Sequence, residues 1–583
     1  MVASMMHEPF YASGKYVCPE FGLYLGWVSH KGSFSDCLPI WNKRKDIILF
    51  FSGENFPDGE LWSRLRGREQ EADPLNAGYL IHLYEEEGIQ FLSRLNGWFS
   101  GFLVDFRSSE RFLFIDRYGM QRIYYCEGGE EFLFASEAKA ILAVRPKFRV
   151  LDPVGIGEYF SCGCTLNDKS YFSGVNLLPG GSIWQFDGGK VRKDRFFDPV
   201  DWESQPVIGK DIFFEKFKQV FAAALPRYFV SRHPIALSST AGLDTRMILA
   251  GRDHPAGSLP FYTFGSMYRD SFDVRISRQL AALCQQPHHV LSLNGQFLSR
   301  FPEYAEKTVY LTDGYQDACG SYEYYLNRLA REIAPIRMTG DFGGEVLRGV
   351  SHFKAVPFFH GALCPELQAL IRQGSATLAE IRRRHPLSFA VFNEAPWSMY
   401  GCFAIEQSQV TLRSPYLDND LVGLMYCAPA KVIWSNEMTL RFIRECNPSM
   451  LRIRTDRGVS GNSRLMTFPV RLYREFLFKA EYYSSHGTPG WLAAAEGRLA
   501  PLNLETLFLG RHKFYHYRKW LRDELAGYVR EILLDKRTLD RPHFEKRGIE
   551  KMVDEHTSGK WNHTTAINKI LTLELICRLF IDA

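Results

Sequence analysis

No stretch of this chain is apolar for long enough to cross a bilayer as a helix. Runs such as Ile47-Ile48-Leu49-Phe50-Phe51 stop far short of the roughly 18 residues that a spanning helix needs. The opening segment holds Met5, Met6, Phe10 and Tyr11 without a basic stretch leading into an apolar one, so no secretory signal is evident. A soluble, cytoplasmic protein with no membrane partner is the expectation. Cysteine is sparse, with 12 in 583 residues, and no C-x-x-C pair of zinc spacing occurs. Cys162-Gly163-Cys164 is a weak hint of metal or redox chemistry; buried, reduced thiols are expected instead. Neither sign of charge is in excess. With 70 basic and 66 acidic residues the net charge is +4, so there is no electrostatic reason to expect nucleic acid as a partner. Arg382-Arg383-Arg384 and Glu85-Glu86-Glu87 read as solvated helix faces. Internal repeats and low-complexity tracts are missing too, which excludes solenoids and tails.

What is present is apolar mass: 46% hydrophobic and 14% aromatic residues in a chain too long for one core, so at least two domains are expected. From about Phe21 to Phe197 short alternating apolar runs are divided by turns, as in Phe99-Ser100-Gly101-Phe102-Leu103-Val104-Asp105 and Phe112-Leu113-Phe114-Ile115. Glu127-Gly128-Gly129-Glu130 and Asp187-Gly188-Gly189-Lys190 are hairpin signals. Helical stretches at Gly78 to Glu87 and Glu137 to Val144 interrupt the strands, which predicts a sheet sandwich flanked by helices. Asp198 to Pro206 is polar and holds two prolines, as a linker would. Strands at Ile235 to Ser238, Phe261 to Phe264, Val290 to Leu293 and Ile336 to Thr339 then alternate with helical segments, predicting a parallel sheet covered on both faces. Beyond Gly349 the pattern is predominantly helical.

One segment stands apart chemically. Ser238-Ser239-Thr240-Ala241-Gly242-Leu243-Asp244-Thr245-Arg246 follows the apolar run Ile235-Ala236-Leu237 and precedes the apolar Met247 to Ala250, which reads as strand, small-residue loop and helix start. Such a loop aims backbone N–H groups at an anion from the positive end of a helix dipole. It has no lysine of the G-x-x-x-x-G-K-[ST] kind. Gly242 permits close approach, Thr240 and Thr245 add hydroxyls, and Asp244 is a candidate ligand for the Mg²⁺ that accompanies a nucleotide.

Thr240 to Arg246 resembles the S-G-G-L-D-S-S pyrophosphate loop of the asparagine synthetase family, and further segments match in that family's order. These are Phe261-Tyr262-Thr263-Phe264-Gly265, Asp273 with His288-His289, Thr339-Gly340-Asp341-Phe342-Gly343-Gly344-Glu345 and Arg413-Ser414-Pro415-Tyr416-Leu417-Asp418. Upstream, Ser52-Gly53-Glu54, Arg94 to Phe99, Asp116 to Gly119 and Phe134 to Ala140 resemble its amino-terminal half. The resemblance implies an N-terminal-nucleophile-type αββα sandwich over 1–200, like a glutamine amidotransferase, and over 201–583 an ATP pyrophosphatase domain, a parallel α/β sheet with a helical C-terminal part. It implies ATP and Mg²⁺ as cofactors, small-molecule substrates (a carboxylate with ammonia or an amine) and a homodimer. It implies Ser239, Thr240, Gly242, Leu243, Asp244, Thr245, Phe264, Thr339 and Gly340 as nucleotide contacts, Asp244 and Glu345 as metal ligands, and Asp341 as the residue orienting or deprotonating the amine.

Departures from the family pattern are equally informative. Phe21 stands where the glutaminase cysteine would open the first strand, and Cys18 would serve only after removal of everything before it. Ser52-Gly53-Glu54 lacks the amide that an N-G-E loop gives to an oxyanion hole. The second metal-binding aspartate falls at Gly344. The R-x-K-x-G lysine falls at Asp456, with Arg457 beside it as the candidate catalytic cation. Arg246 is expected at a phosphate or in solvent, and Arg413 either against substrate or paired within the helical part, with Asp418 as the candidate. The reading is an ATP-dependent ligase that forms an acyl-adenylate and then an amide, with glutamine hydrolysis lost, as in β-lactam synthetase and the lasso-peptide cyclases. The alternatives are a glutamine-hydrolysing asparagine synthetase and a degenerate binding or regulatory protein.

Overall fold

The structure is a computed structural model, and it describes every residue except 67–72, 74, 129–130, 188, 357–359, 456–471, 474–475, 477, 479–504 and 506–507. It is a mixed α/β protein. β1 (Tyr11–Cys18) and β2 (Leu23–His30) form an antiparallel hairpin. A six-stranded antiparallel sheet contains β3 (Ile40–Trp41), β4 (Ile47–Gly53), β5 (Phe99–Asp105), β6 (Glu110–Ile115), β10 (Ser182–Asp187) and β11 (Lys190–Arg195), in the order β11-β10-β6-β5-β4-β3. β7 (Tyr124–Gly128), β8 (Glu131–Ala135) and β9 (Asn176–Leu177) make a third antiparallel sheet. Both expected hairpins form, with Gly128 opposite Glu131 and Asp187 opposite Lys190.

Period-two alternation decides what each strand face covers. Ile47, Leu49, Phe51, Leu103, Phe112 and Phe114 join a core with Leu61, Leu80, Ile81 and Leu83 from helical segments. Ile48, Phe50, Phe102, Val104, Leu113 and Ile115 point the other way, toward Leu23, Ile123 and Leu178, with Tyr125, Phe132 and Phe134 of the three-stranded sheet packed alongside. β4, paired with β5 and β3, is thus apolar on both faces, which explains its uninterrupted Ile47-to-Phe51 run.

The second sheet is wholly parallel, with order β14-β13-β12-β15-β16, from β12 (Ile235–Ser238), β13 (Phe261–Gly265), β14 (His288–Ser292), β15 (Ile336–Met338) and β16 (Thr411–Arg413). Helices Leu243–Gly251, Phe272–Leu283 and Ser321–Arg331 intervene between its strands. Two expectations need correction. β16 lies in the region expected to be helical; three residues are too few to display a period. The presumed linker carries a helical turn, Val200–Glu203, whose Trp202 rests 4.6 Å ring to ring from Phe197 and 5.9 Å from Tyr426. That segment is therefore docked by aromatic contacts.

One apolar cluster spans both halves of the chain. Tyr124, Ile156, Tyr159 and Tyr171 pack in the same cluster as Phe301, Tyr315 and Ile570, with Tyr171 stacked 4.4 Å from Tyr315. Among the described residues no helix is long and apolar enough to cross a membrane.

Candidate functional site

All four residues of β12 are buried, so the chain leaves the sheet at a fixed point. Ser239 N–H donates to Tyr262 O at 2.8 Å and its hydroxyl lies 3.0 Å from Ser277 Oγ. Ala241 N–H donates to the Asp273 carboxylate at 2.8 Å. These three bonds hold the loop from below and leave Thr240 exposed and Gly242 at the N-cap of the Leu243–Gly251 helix. Leu243 and Thr245 are buried on the helix's inner side. The first N–H groups of this helix have no partner within it, as in any helix.

A second loop leaves β15 beside the first. Thr339 N–H donates to Arg413 O at 3.0 Å, and Ser414 Oγ donates to Asp341 O at 2.6 Å. Its glycines are demanded by contact. A Cβ on Gly340 would lie 2.9 Å from Thr245 N, and one on Gly343 would lie 2.5 Å from Asp244 Cγ. Phe342 adopts φ 68°, a left-handed conformation worth about 1–2 kcal/mol of strain in a non-glycine residue. Its ring is held 4.9 Å from Phe403 and 5.8 Å from Trp98, so a residue of the first sheet system supports the loop of the second.

The structure therefore gathers Ser239, Thr240, Gly242, Leu243, Asp244, Thr245, Thr339, Gly340, Asp341 and Glu345 at the carboxyl ends of two adjacent parallel strands, where open α/β sheets bind ligands. Phe264 lies near the end of the neighbouring strand β13, its ring 5.8 Å from Phe514. Glu345 is half-buried, and burial, followed by the charges of Glu394, Asp244 and Asp341, pushes its carboxyl up to about 8. Arg457, with Asp456 and Gly458, lies outside the described residues.

Several partnerships were not readable from the sequence. Asp244 is held by Arg348 through two bonds, 2.6 Å and 2.7 Å, one to each carboxylate oxygen. This bears on the expected metal. Gly344 offers no side-chain donor, and both oxygens of Asp244 are taken by a guanidinium, so Asp244 and position 344 do not fit as a pair of ligands to Mg²⁺. Arg246 does not point to solvent. It is fully buried and donates to Met450 O and Arg454 O, both at 3.1 Å, to Ala241 O at 3.3 Å, and to Ile453 O. It thereby ties the first loop to the chain that leads toward 456.

Arg413 pairs with neither Asp418 nor another residue of the helical part. Its guanidinium forks onto Glu54 at 2.6 Å and 2.8 Å and donates to Tyr228 O and Val230 O. Asp418 instead caps the Asn419–Met425 helix and accepts from Asn96 Nδ2 at 2.7 Å. His288 opens β14, with Nε2 3.0 Å from Thr263 Oγ1.

Beneath the loops lies a buried charged cluster. Arg337 of β15 meets Glu406 and Asn327 at 3.0 Å and Ser238 Oγ at 3.1 Å. Burial first, then the Glu406 charge, pushes Glu323 up to about 8, and burial pushes Glu406 up to about 7. One guanidinium thus serves several carboxylates, and the cluster retains a proton near neutrality.

Around Ser52-Gly53-Glu54 is a cavity of about 400 Å³, lined also by Val2, Met5, Tyr24, Trp98 and Gln121. Gln121 Nε2 donates to Ser52 Oγ at 2.8 Å. Phe21 and Cys18 do not line this cavity. Phe21 sits in the Pro19–Phe21 turn with its ring 4.9 Å from Phe106, and Cys18 closes β1 opposite Leu23. The resemblance had set Phe21 at the nucleophile's position; the hairpin turn carries it away from the Ser52 loop.

Residues 34–197 match the model of a glutamine amidotransferase domain family. A putative glutamine-hydrolysing asparagine synthetase 2 of Methanocaldococcus jannaschii is 24% identical over 314 residues, covering 52% of this chain and 59% of that protein. Asparagine synthetase 3 of Bacillus subtilis is 23% identical over 357 residues, covering 55% and 53%. The chain spans about half the length of the curated relatives it matches. Among solved structures, glutamine phosphoribosylpyrophosphate amidotransferase of B. subtilis overlaps at a TM-score of 0.22 with 14% identity, covering 36% of this chain and 46% of that one. The domain match and the curated relatives together support an asparagine synthetase family member.

Proposed function

We propose that this asparagine synthetase family member is an ATP-dependent carbon–nitrogen ligase whose amino-terminal part, 1–200, is a glutaminase-like scaffold of the N-terminal-nucleophile type and whose 201–583 part carries the chemistry. The observation that carries the reading is the contact of two glycine-bearing loops at the ends of β12 and β15, with Gly340 and Gly343 seated directly on Asp244 and Thr245. A carboxylate oxygen of the substrate attacks the α-phosphorus of ATP and the bond to the β-phosphate oxygen breaks, releasing pyrophosphate. Ammonia or an amine then attacks the acyl carbon, AMP leaves, and the nitrogen gives up a proton. Thr240, Gly242, Leu243 and Thr245 hold the pyrophosphate part through backbone N–H and hydroxyl groups, with Ser239, Phe264, Thr339 and Gly340 at the rest of the nucleotide. Asp341, in the second loop, orients the amine and takes its proton. Arg457 is proposed as the cation facing the adenylate.

Loss of glutamine hydrolysis is supported by the positions of Phe21 and Cys18. Freeing Cys18 as an amino terminus would remove β1, leaving β2 without its partner strand, and would remove the Glu8 contacts to Lys307 at 2.6 Å and Tyr324 at 2.8 Å. The test is pyrophosphate and AMP release from ATP with a panel of carboxylates, beginning with aspartate, and with ammonium, amines or glutamine as nitrogen source. Amide formation with ammonium or an amine but not with glutamine is expected, and Asp341→Asn should lower kcat by about 100-fold with ATP affinity kept. Glutamate release from glutamine would overturn the scaffold assignment, and absence of ATP binding would overturn the ligase.

A further inference from the structure

Asp244 and Arg348 lie 104 positions apart and meet in a two-pronged ion pair. The Gly343–Arg348 helix sets position 344 one turn from Arg348, and a Cβ built on Gly344 would lie 3.4 Å from Arg348 Nη2. Asp244 and position 344 therefore border the same guanidinium. A divalent ion held by protein between them would need an anionic donor at a position that carries none, and would have to displace a charge-assisted fork. Asp244 is itself fixed: Tyr416 donates to its carbonyl at 2.7 Å and Gly343 packs on its carboxyl carbon.

Resting on the ligase reading above, we propose that Arg348 stands in for a metal ion held between Asp244 and position 344: positioned by Asp244, its guanidinium meets phosphate oxygens at the Thr240–Thr245 loop, and ATP or pyrophosphate binds without an ion at that place. A guanidinium has five N–H donors, of which Asp244 engages two, and its planar fork suits phosphate as well as carboxylate. Unlike a hydrated ion it is anchored covalently, so its charge is present before the ligand arrives.

The experiment is calorimetric titration of ATP, and separately of pyrophosphate, into the full chain in EDTA and in excess MgCl₂. Wild-type affinity is expected to differ by no more than about threefold between the two conditions, and Arg348→Ala to weaken binding at least about tenfold in both. Arg348→Lys, which keeps a charge and loses the fork, should fall between. Gly344→Asp with Arg348→Ala restores two facing carboxylates and should make binding depend on Mg²⁺. Wild-type binding that disappears in EDTA and returns with Mg²⁺, or binding indifferent to Arg348→Ala, overturns the inference and leaves the ligase reading intact. No binding of ATP or pyrophosphate under either condition overturns the ligase reading itself.

Discussion

The antiparallel and parallel halves of this chain treat their glycine-rich loops differently. In the parallel half, Gly340 and Gly343 touch Asp244 and Thr245 with no room for a Cβ, and polar groups surround the contact. In the antiparallel half, the Ser52-Gly53-Glu54 loop faces a cavity walled by Val2, Met5, Tyr24 and Trp98, and its one acidic side chain is turned onto Arg413 of the other half. A fold can outlast its chemistry where the core does not depend on the reacting groups. β4, β5 and β6 pack whether or not a nucleophile stands nearby, whereas the two parallel-strand loops press on each other at the residues proposed to hold the ligand.

The comparison is open to breakage from both sides. The largest effect is expected from Gly340→Val, whose side chain would wedge Thr245 from the second loop; ATP binding measured by calorimetry should be lost, while circular dichroism keeps the native helix signal. Retained binding would mean that loop contact is not what builds the site. Next, Glu54→Ala leaves the buried Arg413 uncompensated and should cost about 3–5 kcal/mol in denaturant unfolding, because a buried charge without its partner pays its full desolvation. A cost under about 1 kcal/mol would show that the halves are not coupled through this pair.

A smaller effect concerns pH. The Glu323 carboxyl, at about 8 in the folded chain against an ordinary 4.5, binds its proton more tightly folded than unfolded. Its contribution to stability is therefore fully present below about 4.5 and is lost as pH rises through about 8. Glu323→Gln, which cannot ionise, should gain on the wild type between pH 5 and pH 8, by roughly 1 kcal/mol or more at the upper end. Parallel stability profiles for the two proteins would refute this. The smallest effect belongs to Phe21→Cys. Restoring a thiol there should produce no glutamine hydrolysis, since the Pro19–Phe21 turn lies outside the Ser52 cavity, and should cost about 1 kcal/mol through the lost Phe106 contact. Glutaminase activity in that variant would place the nucleophile correctly at 21.

Much of the architecture is written locally. Both hairpins follow from glycine pairs between alternating runs, and β5 spans the stretch its alternation marked. β16 escaped because Thr411-Leu412-Arg413 is too short to show a period, and the Asp198-to-Pro206 segment misled because Trp202 docks an otherwise polar stretch. Arg246 looked like a phosphate or solvent contact beside a loop, yet it is buried among carbonyls, three of them more than 200 positions away.

The sequence by itself determined the two kinds of sheet, their order along the chain and the loop from Ser239 to Thr245, because side-chain periodicity, turn residues and strand-to-helix junctions act over a few residues. Only the tertiary structure decided which charges are satisfied and by what. Arg348 meets Asp244 across 104 positions and Arg413 meets Glu54 across 359. Opposite charges attract from any separation along the chain, so no local pattern names the partner. Folding chooses it by bringing two desolvated groups within hydrogen-bonding distance where water can no longer serve either.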